Sequence, residues 1–181
     1  ENGLMKKTKV IVGISGASGA HIGLNVLEQL PDTLQKHLVI SEHAKVVLEN
    51  EPGPSQNDVF SDKETNITQY DNANIGASIA SGSYGADMMM ITPCSMNTLA
   101  KIACGIADDL ITRAASVMIK ENKKLLLAPR EMPFSAIALE NMLKLSRLGV
   151  IIAPPVAAYY AETQSIDEME DFFIGKWFDL L

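Results

Sequence analysis

The residues best suited to chemistry sit where apolar runs stop. In Lys9-Val-Ile-Val-Gly-Ile-Ser-Gly-Ala-Ser-Gly-Ala20, a β-branched stretch ends in small residues and hydroxyls. Gly13, Gly16 and Gly19 let a backbone approach a ligand closely. Ser15 and Ser18 place hydroxyls beside the free N–H groups and positive dipole of a helix start. The turn suits an anionic group, most simply a phosphate, although its spacing is not that of a dinucleotide-binding G-x-G-x-x-G. Four later runs end in the same manner. His37-Leu-Val-Ile ends on Ser41, and Asp87-Met-Met-Met-Ile-Thr-Pro93 runs into Cys94 and then Ser95, Met96, Asn97 and Thr98. Lys123 to Pro129 delivers Arg130 and Glu131, and Gly149 to Pro154 leads to Tyr159 and Tyr160.

Each residue type carries a chemical and a structural reading. The planar fork of Arg130 suits phosphate oxygens, or an ion pair with Glu131 or another carboxylate. Glu131 could exchange a proton with a substrate or simply cap the next helix. Arg113 and Lys120 lie seven apart on one helix and share a face, forming either a solvated basic stripe or part of a neighbouring subunit's anion site. His21, His37 and His43 lack metal spacing and read as surface or helix-start residues without a catalytic role. Cys94 reads as a small packed residue, and Met88, Met89 and Met90 as core filler.

These residues need a scaffold, and the apolar periodicity supplies one. Five short strands are expected within the runs at 9–14, 37–41, 87–93, 123–129 and 149–154. Helices are expected over 20–30, 44–48, 99–106, 108–118 and 134–148. A last amphipathic helix starts at Ser165, is capped towards Glu168, and runs through Phe173 and Trp177. The stretch from Glu51 to Ala77 has little periodicity and reads as a long surface connection, with Ile67-Thr68 at most local structure. Strands alternating with helices imply a doubly wound parallel sheet, a three-layer α/β/α architecture whose ligands bind outside the carboxyl ends of the strands. The polar clusters all fall at those ends.

Composition narrows the function. The chain has 181 residues, 47% of them hydrophobic, enough for one domain with a full core. A net charge of −7 argues against a nucleic-acid partner, which would need a concentrated basic face. The two cysteines, ten residues apart, suggest neither a disulfide framework nor a zinc site, and fit a reduced, cytoplasmic compartment. No apolar run approaches the ~20 residues of a membrane span. Glu1-Asn2-Gly3-Leu4 ahead of Met5 reads as an expression scar, leaving 5–181 as a single domain.

Six motifs in order, Gly13-Ile-Ser-Gly-Ala-Ser-Gly-Ala20, Ala80-Ser-Gly-Ser83, Thr92-Pro-Cys-Ser-Met-Asn-Thr-Leu99, Ile111-Thr-Arg-Ala-Ala115, Pro129-Arg-Glu131 and Ala153-Pro-Pro155 with Tyr160, together resemble the UbiX/Pad-type flavin prenyltransferases. The resemblance covers nearly the whole chain from Lys9. It implies a flavodoxin/Rossmann-like fold and an enzyme that joins a dimethylallyl group from dimethylallyl monophosphate to N5 and C6 of reduced FMN. The product, prenylated FMN, is the cofactor of UbiD-type decarboxylases. By resemblance, Gly16, Ala17, Ser18, Ser41, Ser95, Met96, Asn97, Thr98 and Arg130 hold FMN. Arg113, Lys120, Tyr160 and Lys176 hold the prenyl phosphate, with Arg113 and Lys120 reaching in from adjacent subunits. Ser18, Glu51 and Glu131 match the catalytic positions, with Glu49 competing with Glu51 for its place. The family usually forms a dodecamer.

The chemistry suits these residue types. Breaking an allylic C–O bond builds charge on the departing phosphate, which Lys, Arg and Tyr O–H groups stabilise without an aspartate-rich magnesium motif. Lys176 stands where some members have arginine, keeping the charge and losing the bidentate fork. Ser116 stands where aspartate is common. Two rival readings are an FMN-dependent cysteine decarboxylase of the phosphopantothenoylcysteine or lantibiotic type, and a non-catalytic FMN-binding module. The first relies on an active-site histidine and a late Pro-x-Met-Asn motif that this chain lacks. The second has no need of Glu131, Tyr160, Lys120 and Lys176.

Overall fold

The computed structural model describes residues 6–16, 18–53 and 66–181. Among them, six strands form one parallel sheet in the order β3-β2-β1-β4-β5-β6: β1 Lys9–Ile14, β2 Gln35–Ile40, β3 Ile67–Asp71, β4 Met88–Cys94, β5 Lys124–Pro129 and β6 Ile151–Ile152. The β-branched run of β1 sits at the centre. It pairs with β2 from Lys9 opposite Gln35 to Ile14 opposite Ile40, and with β4 from Val10 opposite Met88 to Gly13 opposite Ile91. The strand order reverses between β1 and β4, so the two strands that flank the switch point release their chains into one crevice.

Among the described residues, six α-helices cover the sheet: α1 His21–Gln29, α2 Glu42–Asn50, α3 Met96–Ala103, α4 Leu110–Lys120, α5 Ala136–Arg147 and α6 Ile166–Leu180. Strand alternation sends side chains to two cores. Ile11, Met89, Ile91, Leu125 and Leu127 pack under α3, α4 and α5. Val10, Val12, Ile14, Met90 and Leu126 pack with α1 and α6, where Phe173, Ile174 and Trp177 are buried. The indole N–H of Trp177 donates to the Ala153 carbonyl at 2.9 Å and so ties α6 to the segment after β6.

The helix starts follow capping chemistry. Ser41, Ser95, Ser135 and Ser165 each accept an N–H from the third residue on, and Asp109 forms a reciprocal capping box with Thr112. At the other end of α1, the buried Lys36 ammonium donates to the Leu27 and Leu30 carbonyls, satisfying groups the helix leaves open. The α1 axis passes very close to the sheet because residue 23 is glycine. A Cβ there would stand 2.4 Å from the Thr92 carbonyl oxygen and 2.5 Å from Ile14 Cγ1.

Two expectations are corrected. The stretch over 51–77 contains an additional strand, β3, paired along its whole length with β2 from Lys36 opposite Ile67 to Ile40 opposite Asp71. It is an edge strand with Thr68 and Gln69 exposed, so it lacks the apolar run that marks the inner strands. His37 is no surface residue. It is buried on β2, with Nδ1 3.1 Å from the Tyr70 hydroxyl and Nε2 2.9 Å from the Tyr84 hydroxyl. Among the described residues, no helix is long and apolar enough to cross a membrane.

Candidate active site

The first and fourth strands are stitched together just beyond their ends. The Ser15 N–H donates to the Pro93 carbonyl at 3.2 Å, and the Ser95 N–H donates to Ser15 Oγ at 2.8 Å. On the other side, Ser41 Oγ accepts both the Gly16 N–H at 3.0 Å and the Ala44 N–H at 3.1 Å. Having accepted twice, the Ser41 hydroxyl keeps its own proton to give. Gly16 must be glycine, because His43 packs over it: a Cβ would lie 2.3 Å from His43 Cδ2 and 2.7 Å from His43 Cβ. Gly19 takes φ +80°, a left-handed conformation that turns the chain into α1.

That turn holds an acid and a base. The Gly19 N–H donates to Glu51 Oε2 at 2.7 Å, and the Arg130 Nη1 donates to the Ser18 carbonyl. Glu51 is the residue on which α2 ends, so the helix aims its carboxylate back at the turn. The Gly19 N–H holds the Glu51 carboxyl below its ordinary range; partial burial opposes this, and the Ser18 hydroxyl and the charges of His21 and Arg130 add to it. Among the described residues Arg130 has no carboxylate within ion-pair distance, so the expected alternative of a pair with Glu131 is not the arrangement found.

Two adjoining clefts meet at Ser18, Arg130 and Pro155. The larger, about 660 Å³, is lined by Gly16, Ser18, Ser95, Met96, Arg130 and Glu131. The other, about 530 Å³, is lined by Ser18, Gly19, His21, Glu51, Arg130 and Glu170, with Ile22, Met169 and Phe173 as an apolar wall. Both volumes fall in the range of roughly 300–1,000 Å³ that suits small molecules and cofactors. Glu131 is exposed in the larger cleft and accepts the Met132 N–H at 3.0 Å, while Ser135 caps the following helix, so Glu131 is not its cap.

The structure thus brings Gly16, Ser18, Ser41, Ser95, Met96, Arg130, Glu131 and Glu51 around one crevice. Thr98 is buried in the cap of α3, where Ser95 Oγ donates to its hydroxyl at 3.1 Å. Asn97 is exposed in the first turn of that helix, in a depression it shares with Glu131. Ala17 lies outside the described residues. Arg113, Lys120, Tyr160 and Lys176 do not line either cleft of the single chain. Arg113 Nε is buried with no partner among the described residues, Lys120 lies 3.4 Å from Glu121, and Tyr160 is 82% exposed with its ring edge-on to Phe172.

Sequence reasoning missed His21, which lines the smaller cleft with Nε2 2.8 Å from Oε1 of the buried Glu170. The partners are 149 positions apart, and only the position of His21 at a helix start gave any signal. Cys94 is fully buried at the end of β4, and burial pushes its thiol up to about 12. Cys104, where α3 ends, is exposed.

Comparisons with known proteins agree with this fold. The Flavoprotein family model matches residues 1–177. The chain is similar to the flavin prenyltransferase UbiX of Helicobacter pylori, 49% identical over 173 residues that cover 96% of this chain and 92% of that one. Among solved structures it is similar to AnUbiX (PadA1) in complex with FMN and dimethylallyl pyrophosphate, with TM-score 0.89, 38% identity and coverage of 97% and 92%. A dodecameric FMN-dependent UbiX-like decarboxylase from Escherichia coli is similar with TM-score 0.87, 42% identity and coverage of 96% and 94%.

Proposed function

Because the chain belongs to the UbiX-type flavin prenyltransferase family, we propose that it uses the crevice at the switch point to join a dimethylallyl group from dimethylallyl monophosphate to reduced FMN. The observation that carries this reading is the meeting of two clefts at Ser18 and Arg130, with the Glu51 carboxylate and the Arg130 guanidinium held on the same two-residue turn. One cleft can take a flavin while the other takes a small apolar group beside it.

FMN, when bound, supplies the nucleophilic N5 and C6 positions of its ring system. The residues present fit it. The Ser41 hydroxyl has a proton free to donate, Arg130 has guanidinium N–H groups beyond the one on Ser18, and the capped start of α3 at Ser95 faces the larger cleft. Gly16, Ala17, Ser18, Ser41, Ser95, Met96, Asn97, Thr98 and Arg130 are the residues assigned to it. Arg130 and its neighbours offset the negative charge of a phosphate.

Ser18, Glu51 and Glu131 are the catalytic set. Glu51 keeps the Ser18 hydroxyl and Gly19 N–H oriented, and Glu131 faces the larger cleft with one oxygen free of backbone, able to give or take a proton there. Arg113, Lys120, Tyr160 and Lys176 hold the prenyl phosphate. Arg113 and Lys120 come from neighbouring copies in a homo-oligomer, a dodecamer, so the site is completed by assembly. Residues 5–181 act as one flavoprotein domain in the cytoplasm, and the prenylated FMN passes to a UbiD-type decarboxylase.

The test is anaerobic incubation with reduced FMN and dimethylallyl monophosphate, followed by mass spectrometry of the released flavin. The expected result is a gain of one dimethylallyl unit, lost in Glu131→Gln. Unmodified flavin with every donor tried would overturn the reading.

A further inference from the structure

His21 and Glu170 line the smaller cleft beside Ser18, Glu51 and Arg130, and prenyl transfer as described assigns them nothing. Glu170 is 6% exposed, a costly place for a carboxyl unless both oxygens are engaged. They are: Oε2 accepts the Asn25 amide at 3.2 Å, and Oε1 lies 2.8 Å from His21 Nε2. A carboxylate only accepts, so Nε2 carries the proton, and α6 thereby sets the orientation of a ring that belongs to α1.

The other ring nitrogen, Nδ1, is buried and has no partner among the described residues. It faces the turn that follows α2. A Cβ at Gly53 would stand 2.9 Å from His21 Cβ and 3.4 Å from Nδ1, so the chain just beyond Glu51 passes close beside the His21 side chain. Among the described residues, the charged groups around the ring are Glu170 from α6, Glu51 from the end of α2 and Arg130 from the end of β5.

We propose that the Glu170–His21 pair is a positioning device for Glu51. Glu170 fixes the imidazole between α1 and the turn at 51–53, and the imidazole braces that turn so that the carboxylate stays on the Gly19 N–H. The ring also contributes to keeping the Glu51 carboxyl low, behind the Gly19 N–H and the Ser18 hydroxyl. The bracing stands on geometry alone; its kinetic consequence rests on the reading that Glu51 works in prenyl transfer.

The test pairs carboxyl NMR titration of Glu51 in the flavin-free protein with the pH profile of kcat for prenyl transfer. In His21→Phe the Glu51 titration moves to higher pH and the acid limb of kcat moves with it. Here kcat falls about tenfold, as a slightly misplaced group would cause, while the FMN Kd stays within about twofold. Glu170→Ala does the same, and Glu170→Gln, which keeps an oxygen on Nε2, restores most of the rate. Gln29→Ala breaks the exposed 2.7 Å bond to Asp171 between the same two helices and moves none of these readouts. A folded His21→Phe, or His21→Gln if the first does not fold, with the Glu51 titration unmoved overturns the proposal. If the titration moves while Glu51→Gln keeps full prenyl transfer, the bracing stands and the catalytic role of Glu51 falls.

Discussion

Replacing Gly16 by alanine tests the construction of the phosphate turn most directly. The added Cβ would lie 2.3 Å from His43 Cδ2, 2.7 Å from His43 Cβ and 2.8 Å from His43 Cγ. A rotation of the imidazole relieves the first and last contacts, but His43 Cβ is fixed to the backbone of α2. Reaching an ordinary contact of about 3.4 Å from 2.7 Å requires the start of α2 and the turn to separate by about 0.7 Å. The Gly16 N–H to Ser41 Oγ bond, now 3.0 Å, then stretches to about 3.7 Å and is lost. Overpacking of this kind costs about 1–3 kcal/mol and the lost bond about 0.5–1.5 kcal/mol. For a chain of this length, a total of about 2–4 kcal/mol lowers the melting temperature by about 5–12 °C. Because Ser41 is displaced from the crevice, FMN binds about tenfold more weakly, equivalent to one hydrogen bond. Thermal melts followed by circular dichroism and calorimetric titration with FMN read both effects. The double variant Gly16→Ala/His43→Gly removes the blocking atom and recovers most of the loss, with a coupling above about 1 kcal/mol, despite the helix cost of the new glycine. A Gly16→Ala protein that melts within about 1 °C of its parent, or a double variant no better than the single, would refute the reasoning.

Three further outcomes are expected. Gly175 lies inside α6 with no atom beyond its own helix and chain neighbours within 4 Å of where a Cβ would stand, so Gly175→Ala raises stability by about 0.5–1 kcal/mol in urea unfolding. Glu51→Gln lowers the prenyl-transfer rate at least about a hundredfold. Glu51 is depressed in the fold, so the stability it gives is complete above its ordinary 4.5 and fades as pH falls through its folded value. The urea midpoint of Glu51→Gln is accordingly less pH-dependent in that acid range. His37 is lowered from 6.5, mainly by burial and then by the charge of Lys9, so the unfolded chain binds its proton first. Stability is therefore full above pH 6.5 and declines as pH falls below it towards the folded value. His37→Gln loses that part of the decline, read as the urea midpoint across the same range.

The parallel architecture was legible because the inner strands are buried on both faces and read as unbroken apolar runs, as in β1, β4 and β5. The edge strand β3 was not, since Ile67-Thr-Gln-Tyr-Asp71 is half polar and its partner β2 supplies the reason for its conformation. The polar ends were legible as a group because the switch-point rule gathers them without side-chain detail. The choice between Glu49 and Glu51 was not, because it depends on where α2 stops, and a helix end shifts by a residue or two on propensity alone. The Glu170–His21 pair had no local signature at all. It exists only once α6 is laid against α1, and α6 is placed by the burial of Phe173, Ile174 and Trp177.

The contrast between the two thiols makes this chain a ready-made single-label protein. Burial holds the Cys94 thiol far above neutral, so it stays protonated at pH 7, and the same burial shuts out reagents. A maleimide dye therefore goes to the exposed Cys104, with no cysteine removed beforehand. That dye sits at the far end of α3 from Ser95, about 12 Å along an eight-residue helix whose start faces the larger cleft. Flavin arriving in the cleft would quench it, giving an optical readout of occupancy in the unmutated sequence.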